Sequence, residues 1–276
     1  MALHLGLAQW LHADWASQIG GRGLHAYAEQ FNSVEGGSTF YALPDVTKAA
    51  SWAASVGEDF RFVFKLPKRI THDLMLRNCA SEVKEFFRFL GPLERNVGPL
   101  MIQLPPGFNS SNLPALSVFL DSLPIGYQYV VEFRHPDFFD RGEVEKRVNQ
   151  ILTHSGADRV WFDSRNLFSR APSDDAEREA QSKKPRMPVF GYSMSDHPVV
   201  RFMTNSSWQE PCTAFDQWVV RVSEWLEQGK SVYFFAHTPS NAEAPKLAAR
   251  FQDAVSERCS LVAPFPWRPG SARDLF

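Results

Sequence analysis

Cysteine is scarce in this chain. Cys79, Cys212 and Cys259 are odd in number, far apart and without a C-x-x-C pair. Such usage excludes a disulfide framework and a thiolate zinc site, and it fits a reducing compartment. Long apolar runs are also missing. No window approaches the 18 or more apolar residues of a spanning helix, so no membrane partner is expected. No basic segment followed by an apolar one precedes the first strand-like run, and a cytoplasmic location is expected. Neither sign of charge dominates, with 29 Lys plus Arg against 31 Asp plus Glu. A balance of that kind offers no general field for DNA or RNA. The glycine-rich turn of dinucleotide folds does not follow the first strand, and no HxH or HExxH spacing is present.

Apolar and aromatic residues are plentiful, at 44% and 13% of 276 residues, enough for a large core. They recur in a strict pattern. Strand-like runs rich in Val, Phe and Leu fall at 4–10, 31–37, 61–67, 100–105, 128–134, 158–164, 199–204 and 231–237. Helical spacing fills 22–30, 45–56, 79–95, 112–122, 141–154, 174–183, 213–228 and 241–257. Asn241 is read as the N-cap of the last helix, and Gly57, Gly156 and Gly229 as left-handed helix stops. Strict βα alternation demands parallel strands, because each crossover returns the chain to the same end of the sheet. Eight such units in this length predict a single-domain TIM-type (β/α)₈ barrel, with an open doubly wound sheet as the alternative. One connection is unusually long. Residues 165–198, between strands six and seven, are charged and proline-punctuated, and are expected to form an elaborated loop with a short helix, or a lid.

Charges interrupt the apolar strands at their C-terminal ends, where barrel enzymes carry their chemistry. Glu35, Lys65, Gln103, Glu132, Arg134, Asp163, Arg201 and His237 all fall there. A strand-top residue facing inward reaches the mouth, whereas one facing outward is buried under a helix, at greater cost for a charge. The expectation is therefore a mouth lined by these side chains. The inert alternative is a set of structural ion pairs, such as Lys65 with Glu132 or Arg134 with Asp163. A buried ionic cluster is seldom more stable than apolar packing, which favours a functional reading.

Four phrases resemble one family when taken together. They are VEGGSTFYALP (34–44), FVFKLPKRITHDLML (62–76), GPLMIQLPPGF (98–108) and VVEFRHPDFF (130–139). The chain resembles the YecE-like family, domain of unknown function 72, from about residue 3 to 265. That resemblance implies a TIM-type barrel and a shared set of polar residues, and it implies no reaction. By position the set is Glu35, Ser38, Thr39, Phe40, Tyr41, Lys65, Thr71, His72, Asp73, Gln103, Glu132, Arg134, His135, Asp163 and Arg201. Two departures stand out. Gly36-Gly37 occupies a pair that usually holds an Asn, and Ala236-His237-Thr238 replaces an Asn-rich phrase at the end of the eighth strand.

Lys65, Arg134 and Arg201 suit an anionic group such as phosphate or carboxylate, with Gln103, Tyr41, Asp73 and His135 as further substrate contacts. Glu132, with Glu35 or Asp163, is expected to move protons, and His72, His135 and His237 are alternative acid–base groups. A Schiff base at Lys65 ranks low, because three carboxylates nearby would raise its pKa. The leading expectation is an enzyme of hydrolase, lyase or isomerase type acting on a small anionic metabolite, with no cofactor assigned. One alternative is a hydrolase or nuclease with a divalent metal on Glu35, Glu132, Asp163 and a histidine. Another is a non-catalytic ligand-binding barrel. Aromatics such as Trp10 and Phe40 can stack on an exposed nucleotide, but core packing is their default use, so nucleic acid is a less favoured partner.

Overall fold

The computed structural model describes residues 1–266. Strand and helix alternate as β1 (Ala2–Leu7), α1 (Gly23–Ala28), β2 (Ser33–Gly36), α2 (Ser38–Tyr41), α3 (Val46–Ala54), β3 (Arg61–Phe64), α4 (Ala80–Leu90) and β4 (Leu100–Gln103). They continue as α5 (Leu113–Ser122), β5 (Tyr129–Glu132), α6 (Glu143–His154), β6 (Asp158–Asp163) and α7 (Asp175–Lys183). The last four are β7 (Val199–Met203), α8 (Thr213–Glu227), β8 (Ser231–His237) and α9 (Ala244–Ser256). The eight strands pair in the order β3-β2-β1-β8-β7-β6-β5-β4, and every ladder is parallel. Parallel bridges Phe62–Val97 and Lys65–Met101 join β3 to β4 and close the ring.

Strand parity sorts the side chains into two layers. Val63, Met101, Val130, Val160, Val199, Tyr233 and Phe235 point inward and fill the barrel. Their neighbours point outward under the helices: Phe62 and Phe64 face Trp52 of α3, and Phe234 stacks on Phe251 of α9. Helix α8 buries Phe215, Trp218, Val219, Val222, Trp225 and Leu226, a stripe at helical spacing that covers β7 and β8. Asp45 caps α3 by accepting from the Lys48 amide, and Asp174 caps α7 by accepting from the Glu177 amide; each such cap contributes about 1 kcal/mol.

Two expected boundaries move. Gly156 (φ +66°) and Gly229 (φ +88°) are left-handed stops, but Gly57 is not. Helix α9 begins only at Ala244, with Glu243 as its cap residue. Asn241 instead sits in a left-handed turn (φ +62°), where its carbonyl accepts from Trp15 Nε1.

The long β6–β7 connection is tied down rather than loose. Glu177 of α7 is fully buried; it pairs with Arg170 and accepts from the Ser173 and Ser206 amides. Asp158, at the base of β6, accepts from the amides of Met194 and Ser195. Near the barrel top the Ser164 hydroxyl donates to the Pro185 carbonyl at 2.7 Å.

Candidate functional site

At the strand C-termini the inward residues change from apolar to charged. Arg201 is the hub. Its Nε donates to Glu35 Oε2 at 2.7 Å and its Nη2 to Glu35 Oε1 at 2.8 Å, a two-point fork from β7 to β2. Its Nη1 donates to Glu132 Oε2 on β5 at 2.5 Å. The face of Phe162 lies 4.7 Å from the guanidinium carbon and seals it from below. Arg201 is only 4% exposed at its side chain, Glu35 2% and Glu132 1%.

Two further cations complete the network. Lys65 Nζ is 2.5 Å from Glu35 Oε1, and Arg134 Nη2 is 2.6 Å from Glu132 Oε1. The inert pairs expected from sequence, Lys65–Glu132 and Arg134–Asp163, are therefore not the ones formed. Each carboxylate is instead shared by two cations. The Thr39 hydroxyl lies 2.7 Å from the Lys65 carbonyl and 3.0 Å from that of Gly36, which ties α2 to the lysine strand. His237 Nε2 ends 3.3 Å from Glu35 Oε2, off the angle a hydrogen bond requires.

Burial alone would raise the Glu35 carboxyl, but Arg201 and Lys65 outweigh it and hold it well below the usual carboxylate range. The same contest at Glu132, with Arg201 and Arg134 against burial, leaves it at about 2. Burial lowers Arg201, yet its two glutamates more than reverse that and keep it charged. Lys65 departs from expectation. Burial, reinforced by Arg201, lowers it despite the neighbouring carboxylates. His237 is lowered to about 4, first by burial and against the pull of Glu35, so it is neutral at neutral pH.

Above this network lies a cavity of about 580 Å³, bordered by Glu35, Lys65, Arg201, His237 and Tyr41, with Trp10, Gly37 and Lys184 among its other walls. A Cβ on Gly36 would stand 2.3 Å from Phe64, so that position admits no side chain without a shift. A Cβ on Gly37 would meet nothing within 4 Å. The glycine at 37 thus leaves open a part of the mouth that a larger residue would fill. Larger hollows, of 680 and 720 Å³, lie on the outer helices and contain none of these strand-end charges.

The other expected residues are placed as follows. Gln103 is buried and in register with Glu132, beside the network. Tyr41 is 83% exposed at the rim, edge-on to Phe40. His72 packs edge-on against Phe40, its Nδ1 2.8 Å from the Thr71 hydroxyl, and burial together with Arg134 lowers it to about 4. Three residues lie apart. Asp163 is fully buried but faces outward, accepting from Trp218 Nε1 of α8 at 2.8 Å and from Arg165. Its neighbour Phe162 holds the inward position, so parity carries Asp163 to the helix side. Asp73 is engaged by Lys68 at 2.6 Å near the surface. The His135 Nδ1 accepts from the Asp137 amide as the cap of a short 3-10 turn. With Asp163 turned away and both glutamates committed to Arg201, the ligand set considered for a divalent metal is not assembled. No group of three metal-ligating side chains occurs among the described residues.

Lys184 lies in the charged 165–198 connection, several of whose basic residues could contact an anionic ligand, but the sequence did not single it out. It follows α7, its amide donating to the Ala180 carbonyl at 2.9 Å, and the next residue is the Pro185 held by Ser164. Its side chain borders the cavity and has no ion-pair or hydrogen-bond partner among the described residues. Burial and the nearby Arg201 lower it to about 8. The only local signal was a lysine directly before a proline at a helix end, which says nothing about direction.

The chain belongs to the family described as "Protein of unknown function DUF72", which matches residues 4–269. It is 40% identical over 245 residues to the UPF0759 protein YecE of Escherichia coli K12, covering 89% of each chain, and equally to that of E. coli O157:H7. Its fold is similar to a DUF72 family protein of Thermotoga maritima MSB8 (TM-score 0.68, 21% identity, 91% of this chain and 98% of that one). A DUF72 family protein of Enterococcus faecalis V583 is similar too (TM-score 0.67, 18% identity, 92% and 95%).

Proposed function

We propose that this barrel is an enzyme that binds a small anionic metabolite, phosphorylated or carboxylated, in the mouth and transforms it by acid–base chemistry without a metal. The charge balance of the cup carries the reading. Lys65, Arg134, Arg201 and Lys184 stand against Glu35 and Glu132, and Lys184 is the cation of the four that forms no ion pair among the described residues, Glu35 attracting it only from a distance. A low-dielectric cavity with surplus positive charge attracts an anion of matching size. The roles differ from those expected. Glu35 and Glu132 are held ionised too firmly to exchange protons near neutrality, so they orient Arg201 and Lys65. Lys184, at about 8, is the group whose proton affinity suits transfer at working pH.

The test is a thermal-shift series with inorganic phosphate, pyruvate and sugar phosphates, followed by NMR assay of the ligands that shift. A ligand at 100 times its Kd adds about 2.7 kcal/mol of stability. An anion-specific shift, reduced in Lys184→Ala, and conversion of that anion are expected. Ligands that bind and are recovered unchanged would instead favour a binding barrel. No shift from any anion would remove the reading.

A further inference from the structure

Two lysines border the cavity, and their surroundings divide their roles. Lys65 is pinned at 2.5 Å to Glu35, so its nitrogen is engaged in an ion pair and is not free to attack a carbonyl. Lys184 carries no such partner among the described residues and opens onto the same 580 Å³ space. Its backbone is fixed on both sides, by the bond from its own amide to Ala180 and by the Ser164–Pro185 bond. From that anchored backbone its side chain borders the cup. We propose that Lys184 is an amine nucleophile that forms a Schiff base with the carbonyl carbon of a small oxoacid, a ketone or aldehyde that also carries a carboxylate or phosphate. This inference rests on the anion-binding reading of the mouth and deepens it.

The chemistry needs a neutral amine, a nearby anion anchor and no redox partner. The guanidinium of Arg201 and the partial burial of the side chain both disfavour the ammonium form of Lys184. When Lys184 is neutral, Lys65, Arg134 and Arg201 still outnumber Glu35 and Glu132, so the cup remains positive and holds the substrate anion. The Nζ lone pair forms the C–N bond while the carbonyl π pair moves to oxygen. One proton passes from nitrogen to that oxygen, giving the carbinolamine. Its hydroxyl takes a proton from solvent and leaves as water as the second nitrogen pair closes the C=N⁺ bond. The resulting iminium draws electrons from the adjacent carbon, which opens lyase or isomerase chemistry on the bound oxoacid.

The experiment is reductive trapping on the full-length wild-type protein. Pyruvate, as the carboxylate probe, and glycolaldehyde phosphate, as the phosphate probe, are each incubated with cyanoborohydride near pH 7.5. Intact mass and peptide mapping then locate the adduct. Labelling of Lys184 is expected to be at least about tenfold faster than at any other lysine, because a larger fraction of its amine is neutral. It should be absent in Lys184→Arg, which keeps the positive charge. The probe that labels faster identifies the anion class. Adducts spread evenly over surface lysines, or none at all, overturn the inference. If either probe nonetheless raises the melting temperature, anion binding stands and only the Schiff base fails. If neither shift nor adduct occurs, both readings fall.

Discussion

Arg201 on β7 reaches across the barrel and grips both oxygens of Glu35 on β2, at 2.7 and 2.8 Å, while its remaining arm holds Glu132 on β5. One guanidinium thus ties three strands together at the mouth. Those strands meet only through intervening members of the sheet, so the network braces the ring where its hydrogen-bond ladders end.

Removing that guanidinium leaves two carboxylates buried without their shared partner. Arg201→Ala is expected to cost about 3–5 kcal/mol, as breaking one side of a buried pair generally does. Adding Glu35→Gln and Glu132→Gln to Arg201→Met should not recover the loss, because Lys65 and Arg134 then lose their carboxylate partners in turn. Urea denaturation of the variants checks this, and a loss under 1 kcal/mol for Arg201→Ala would contradict the buried geometry.

Acid should unfold the protein in a defined window. Glu132 lies at about 2 in the folded state against 4.5 ordinarily, so the unfolded chain takes up a proton that the folded chain refuses. Its contribution is complete above about pH 5 and disappears as pH falls towards 2. His237 and His72, both lowered to about 4 from 6.5, act in the same direction at milder pH. Each keeps the folded chain neutral while the unfolded chain protonates, so stability declines from about pH 6.5 towards 4. Stability measured in urea at pH 7, 5.5 and 4 should fall steadily, and His237→Gln should flatten the upper part of that decline.

Lys184 carries the opposite expectation for stability and ligand binding. Its folded value of about 8 against 10.5 means that folding favours the neutral amine, so its charge is a burden on the fold at neutral pH. Lys184→Met should therefore leave stability unchanged or slightly raised, while the thermal shift from inorganic phosphate shrinks. In the wild type, phosphate affinity should weaken as pH rises through 8. Phosphate titrations by calorimetry between pH 7 and 9 test both points.

Asp163 separates structure from function. Asp163→Asn removes the charge that Arg165 and Trp218 satisfy outside the barrel, at an expected cost of about 1–3 kcal/mol. Anion binding at the mouth should be unaltered. A loss of phosphate-induced stabilisation in this variant, at a temperature where it remains folded, would show that the outward placement does not insulate it from the site.

Much of this protein was legible in its sequence. Eight apolar runs separated by helical spacing dictated parallel strands and a closed ring, because hydrophobic periodicity and crossover geometry are local properties that survive without coordinates. The polar interruptions Glu35, Lys65, Glu132, Arg201 and His237 marked the mouth for the same reason: a charge in an apolar strand must find a partner or water. Which partner it finds is another matter. Asp163 resembles its neighbours in every local respect, yet a single step of strand parity, set by Phe162 packing under Arg201, turned it to the helix side. Lys184 was one basic residue among several in a charged connection until the β6–β7 segment, anchored by Ser164 and Glu177, brought it to the border of the cup. Parity at strand ends and the docking of a long connection depend on contacts between residues far apart in the chain. Those contacts, and the proton affinities that follow from them, were decided only by the tertiary structure.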